Sequence, residues 1–152
     1  MSKVKKSKGR PTSDLRPSTF DLPTFRLLDC EFMTAKRFED LRIWQEARVQ
    51  ANAVYDGFGP DSCSSRDFGF RDQIQRAAVS VMNNIAEGFE RRSDPDFARF
   101  LDIAKGSNGE VRSMLYLAED RRYLTSGEAQ ALRDFSENLS GGIENLAKHL
   151  RF

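Results

Sequence analysis

From Phe38 onward, apolar residues recur at steps of three and four. Phe38, Leu41, Trp44, Ala47, Ala51, Val54, Tyr55 and Phe58 fall on one stripe, while Glu39, Asp40, Arg42, Glu46, Arg48 and Gln50 fall largely off it. That is the period of an amphipathic helix. The run GFGPDSCSSRDFG over 57–69 gathers Gly, Pro, Ser and Asp and reads as a loop, with Ser64, Ser65 or Asp67 available to cap the next helix. A second helix is predicted from about Phe70 to Phe89, with Ile74, Ala77, Ala78, Val81, Ile85, Ala86 and Phe89 inward and Gly88 placed to end it. Ser93-Asp94-Pro95-Asp96 is a start signal: a capping serine, an early proline, and an acid three residues on. The third helix carries Phe97, Phe100, Leu101, Ala104, Val111, Met114, Leu115 and Ala118 and is predicted to run to about Arg122. Thr125 or Ser126 opens a fourth, whose seam Leu132, Phe135, Leu139, Ile143, Leu146 and Leu150 keeps a near-heptad spacing. No stretch of this region alternates with period two for long enough to be a strand. The pattern predicts an all-α fold, an antiparallel up-down four-helix bundle.

Composition divides the chain in two. Of 24 basic and 23 acidic residues, 7 and 4 lie in residues 1–32, so that segment carries +3 and Met33–Phe152 carries 17 − 19 = −2. Residues 1–32 also hold Pro11, Pro17 and Pro23 and show no sustained period. They are expected to be a disordered N-terminal extension, with the bundle over 33–152 and Met33 as the natural start. The Lys3–Lys8 charges form only a weak basic patch. No apolar run suits a membrane span and the basic start lacks an apolar signal core, so a soluble cytoplasmic protein is expected.

Chemistry is sparse. A di-iron bundle site needs a Glu-x-x-His pair on each of two helices. The chain has one histidine, His149, with Leu146 three residues before it; His149 is expected to meet the terminal carbonyls of its helix. Cys30 and Cys63 have no CxxC partner, and no phosphate-binding glycine loop is present. No catalytic residue, metal site or cofactor is expected, and no small-molecule substrate is evident.

Two segments are more particular than a bundle requires. In RAAVSVMNNIAEGFERRS, Asn84 lies beside the core row and Glu87 one turn above it. In LDIAKGSNGEVRSML, Gly106 and Gly109 interrupt a long helix at a cost of about 1 kcal/mol each relative to alanine. Such glycines, with Gly88, suggest close helix packing or a kink. Asn84 and Glu87 are expected to meet Ser107 or Glu110 in a polar layer that fixes helix register. The best basic cluster is Arg91, Arg92, Arg99 and Lys105, the candidate nucleic-acid contact, but Glu87, Glu90, Asp94, Asp96 and Asp102 interleave it.

FEDLRIWQEA, RAAVSVMNNIAEGFERRS and FLDIAKGSNGEV together resemble the four-helix-bundle family of 23S rRNA intervening-sequence proteins, once labelled S23 ribosomal proteins. The likeness spans about Phe38–Leu124. It implies an antiparallel bundle assembled as a homopentamer, with no assigned biochemical function. A related branch, the accessory proteins of diversity-generating retroelements, implies binding of nucleic acid and a reverse transcriptase; those relatives are markedly basic, unlike the −2 body here. Positions carried over by motif include Trp44, Arg76, Ser80, Asn84, Glu87, Gly88, Arg92, Lys105, Gly106, Ser107 and Glu110. Asn108-Gly109 stands where the family more often has Leu-Ala, a change expected to loosen the third helix locally.

The reading is a non-enzymatic, self-assembling bundle whose partner is itself; the alternative is a weak RNA- or DNA-binding accessory protein. Thirteen aromatics in 33–152 exceed what a slim core needs. Off-seam Ile43, Val49, Met82, Phe68 and Leu117 are expected to supply a subunit interface.

Overall fold

The computed structural model describes residues 32–152; Cys30, the Lys3–Lys8 stretch and the rest of 1–31 lie outside the described residues. Two single 3₁₀ turns, Phe32–Thr34 and Phe38–Asp40, lead into four helices: α1 Arg42–Gly57, α2 Phe68–Glu90, α3 Asp94–Asp120 and α4 Ser126–Arg151. Short turns of three and five residues join α2 to α3 and α3 to α4, so these neighbours run antiparallel. α3 packs along its length on both α2 and α4, whereas α1, at 16 residues the shortest helix, lies mainly on α2 and more narrowly on α4.

Helices α2, α3 and α4 each begin where a side chain satisfies their free N–H groups, while α1 has no side-chain cap of its own. Asp67 accepts from Phe70 N at 3.1 Å, and Ser93 accepts from Asp96 N at 3.3 Å. Thr125 and Glu128 form a reciprocal capping box. At α1 the device sits one turn earlier. The Asp40 carboxylate takes the Lys36 and Arg37 N–H groups at 3.2 Å each, and Leu41 is extended (φ −73°, ψ 124°). Phe38 and Leu41 therefore precede α1 rather than start it, although Leu41 is buried. Gly88 does not end α2, which continues to Glu90.

Helices α2 and α3 both close with an arginine in the left-handed region, Arg92 at φ 60° and Arg122 at φ 57°. At Arg122 the pattern is a Schellman motif: Tyr123 N bonds Ala118 O at 2.8 Å and Arg122 N bonds Glu119 O at 2.9 Å. The longer α1–α2 loop is held from within. Arg71 donates to Phe58 O at 2.8 Å and to Ser65 O at 3.0 Å. Tyr123 Oη donates to Asp67 Oδ2 at 2.7 Å, tying this loop to the α3–α4 turn.

The apolar interior is in two parts. One contains Val54, Phe58, Phe70, Ile74, Val111, Leu115 and Leu132. The other contains Leu41, Ala47, Val81, Ile85, Phe97, Leu101, Leu139 and Ile143. Phe32 packs against the second part, its ring 6.0 Å from those of Phe97 and His149. His149 thus meets an aromatic edge rather than the carbonyls that end its helix. On α1 the seam is rotated from the expected stripe: Tyr55 is half exposed, Trp44 half buried, and Glu46 and Gln50 are buried. The short α1 packs on α2 and more narrowly on α4 with its 43–46–50–53 row turned inward, Gln50 of that row reaching Asn108 of α3. Ile43, expected at an outer interface, is buried for the same reason, against the backbone opening left by Gly142.

Candidate functional site

The boundary between the two apolar parts is polar. Asn108 of α3 lies on the helix seam between Ala104 and Val111 and is 0% exposed. Its Nδ2 donates to Ser136 O at 2.6 Å and Ser140 Oγ at 2.8 Å. Its Oδ1 accepts from Gln50 Nε2 and from Ser136 Oγ, each at 2.8 Å. Three helices are thereby joined through one amide, all four of whose hydrogen-bonding positions are filled. Gln50 Oε1 has no partner among the described residues, although Gln50 is 1% exposed.

A second group extends the layer toward the α2–α3 groove. Ser80 and Ser107 hydroxyls lie 2.9 Å apart, and Asn84 Nδ2 donates to Ser80 O at 2.8 Å and Ser80 Oγ at 3.0 Å. Of the four residues expected to form the layer, Asn84 and Ser107 meet through Ser80. Glu87 and Glu110 are elsewhere: Glu87 pairs with Arg91 one turn on, at 2.5 Å, and Glu110 accepts from Gln73 Nε2 at 3.1 Å on the surface. Their carboxylates stay in water, where their charge is solvated, while amides and hydroxyls, cheaper to bury, take the interior. Asn108, expected to loosen α3, is instead the centre of its bonding.

The three glycines differ. A Cβ on Gly88 would lie 2.7 Å from Phe100 Cβ and 2.7 Å from Phe97 Cδ2, so α2 and α3 approach there as only glycine allows. A Cβ on Gly106 or Gly109 would meet nothing within 4 Å. Neither is required by packing among the described residues, and α3 is continuous through both.

The basic cluster divides as well. Arg91 and Arg99 stand over the Phe100 ring, at 5.1 and 5.4 Å, and Arg92 is exposed beside them. Lys105 is on the other side of α3, bonded to Glu144 of α4 at 2.7 Å. It belongs to a ladder along the α3–α4 seam with Asp102–Arg151, Arg112–Glu137 and Glu119–Arg133. Lys105 and then Lys148 hold the Glu144 carboxyl down at about 2. Hydrogen bonds from Ser126 and Arg133 hold Glu119 low in the same way, and Tyr123 with the Phe70 N–H lowers Asp67. Arg133 is buried, stacked 4.3 Å from the Tyr116 ring centroid.

Among the described residues no group of three or more His, Cys, Asp or Glu is placed to hold a metal ion, and no helix is long and apolar enough to cross a membrane. Cys63 is an exposed free thiol.

The α3 surface has an unexpected regularity. Ile103, Gly106, Glu110, Ser113 and Leu117 follow one another at steps of three, four, three and four, and all five are exposed. This is a second seam, opposite in sense to the buried one.

The model of the family described as 23S rRNA-intervening sequence protein matches residues 39–145. That span contains the polar layer, Gly88 and all four residues of the basic cluster. Among solved structures, the chain is similar to a protein of unknown function from the S23 ribosomal protein family of Bacteroides thetaiotaomicron. The two are 21% identical with a TM-score of 0.63, covering 70% of this chain and 98% of that one. At that identity the likeness speaks for the fold alone. No curated protein matches the chain.

Proposed function

The chain belongs to the 23S rRNA-intervening sequence protein family, and from that premise we propose that it is a non-enzymatic cytoplasmic protein that assembles with itself as a homopentamer. The observation that supports this is the outward α3 seam. Ile103 and Leu117 are 46% and 47% exposed at its ends. Between them Gly106 and Ser113, small residues on either side of Glu110, leave little side-chain bulk for a helix of a second copy to meet. A cyclic arrangement of identical contacts buries that seam in every copy. Glycine at 106, idle within one chain, then has a packing role.

The test is size-exclusion chromatography with light scattering. The expected result is one species at five times the 17.3 kDa chain mass. Leu117→Glu with Gly106→Arg should reduce it to monomer while far-ultraviolet dichroism stays helical. A wild-type monomer, or a pentamer indifferent to both changes, refutes the reading.

A second reading, weak RNA or DNA binding in association with rRNA or a reverse transcriptase, is favoured by the convergence of Arg91 and Arg99 on Phe100 beside Arg92. Ring symmetry would repeat that patch and add avidity. Glu87, Glu90, Asp94 and Asp96 around it keep each single contact weak and salt-dependent. Binding that persists in high salt, or is unchanged by Arg91→Ala with Arg92→Ala, counts against this reading.

A further inference from the structure

Asn108 is followed by Gly109, and none of the chain's other asparagines precedes glycine. Asn-Gly is the sequence most open to spontaneous deamidation, because glycine lacks the Cβ that hinders approach of its own backbone nitrogen to the preceding side chain. We propose that Asn108–Gly109 is a self-modification site that the fold holds locked, so that its conversion marks a chain that has opened and blocks that chain from rebuilding the mid-bundle layer.

The reaction needs only water. Hydroxide takes the Gly109 N–H proton and the backbone nitrogen attacks Asn108 Cγ; the N–Cγ bond forms, the Cγ–Nδ2 bond breaks, and Nδ2 leaves as ammonia after taking a proton from water, which regenerates the hydroxide. Water then opens the resulting cyclic imide at one of its two carbonyls. Cleavage of the N–Cγ bond gives aspartate, and cleavage at the main-chain carbonyl gives isoaspartate.

In the folded chain every component is immobilised. Gly109 is inside α3, so its N–H is committed to the helical ladder. The Asn108 amide is held by Ser136, Ser140 and Gln50, and the residue is 0% exposed, which removes both base and water. Helical geometry also keeps the nitrogen away from Cγ. Opening releases all of these restraints at once.

The product does not fit back. Its carboxylate has only acceptors where Asn108 Nδ2 donated, so it faces the Ser136 carbonyl oxygen, acceptor against acceptor, at a fully buried position. Burying an unpaired charge is strongly unfavourable. Isoaspartate adds a backbone methylene in mid-helix and breaks the register of α3 as well. Gly109 itself has open space around its Cα, so packing does not demand glycine there. Alanine would preserve the fold and close the site.

The experiment compares the full chain aged in native buffer and in urea, at the same mildly alkaline pH, with peptide mass spectrometry and isoaspartate labelling. In urea Asn108 should convert ahead of Asn52, Asn83, Asn84, Asn138 and Asn145. In native buffer its conversion should be slower by on the order of a thousandfold or more, the factor set by the rarity of opening. Gly109→Ala should slow the urea reaction by at least about tenfold. After removal of urea, converted chains should fail to recover the native melting transition, whereas Gly109→Ala chains aged alongside them should recover it. Equal native and urea rates, no preference for Asn108 over the other asparagines, insensitivity to Gly109→Ala, or full refolding of converted chains would each overturn the proposal.

Discussion

Replacing Asn108 by leucine removes the amide at the centre of the layer while keeping four side-chain heavy atoms in a similar branched outline, so the change leaves no cavity and tests the loss of hydrogen bonding. Gln50 Nε2 loses its partner in a residue that is 1% exposed and whose Oε1 is already unpartnered. Ser136 Oγ keeps only a 3.4 Å contact to the residue 108 carbonyl, and Ser140 Oγ loses its donor. Each buried group left unpaired costs about 1–3 kcal/mol, and the added apolar atoms offset part of that. The expected net loss is about 2–4 kcal/mol, a large share of the roughly 5–15 kcal/mol that holds a typical domain folded. Urea unfolding at fixed protein concentration should show a lower midpoint with an unchanged slope. Adding Gln50→Leu removes the stranded donor and acceptor together, so the double variant should be more stable than the sum of the singles predicts, by about 1–3 kcal/mol. If Asn108→Leu costs under about 1 kcal/mol, or if the two changes are additive, the amide does not organise the interior as described.

Gly88→Ala places a methyl 2.7 Å from Phe97 and Phe100; the clash should outweigh the gain in helix propensity and destabilise by about 1–3 kcal/mol in the same assay. Arg92→Gly and Arg122→Gly each relieve a left-handed backbone and should stabilise by about 1 kcal/mol, raising the melting temperature by a few degrees; an unchanged or lower value refutes the argument. The Glu144 carboxyl, held at about 2 in the folded chain, contributes stability that is fully present above its ordinary value near 4.5 and is lost as pH falls through about 2. A carboxyl titration by NMR should find that low midpoint and find it raised in Lys105→Ala; a wild-type midpoint near 4.5 would refute the ladder's role.

Helix positions are legible in the sequence because burial on one face imposes a period, and starts are legible because free N–H groups select Asp67, Ser93 and Thr125. The polar layer leaves a fainter trace. Gln50 lies between Ala47 and Val54, Asn108 between Ala104 and Val111, and Ser136 between Leu132 and Leu139. A polar residue on the seam of three helices, each near its middle, is a signal of one layer. The expectation instead placed Glu87 and Glu110 there from their spacing to Asn84 and Ser107, and spacing along one helix says little about which neighbour the side chain faces.

The order of the four helices and the antiparallel run of α2, α3 and α4 follow from local rules: hydrophobic period, caps, and turns after α2 and α3 too short for anything but antiparallel neighbours. Which row of α1 points inward, whether a glycine is filled by a neighbour or faces open space, and which amide meets which hydroxyl depend on how the helices are rotated and staggered against one another. Those angles come from packing all four together. Hence Gly88 and Gly109, alike in sequence as helical glycines, are a tight contact in one case and an open position beside a buried asparagine in the other.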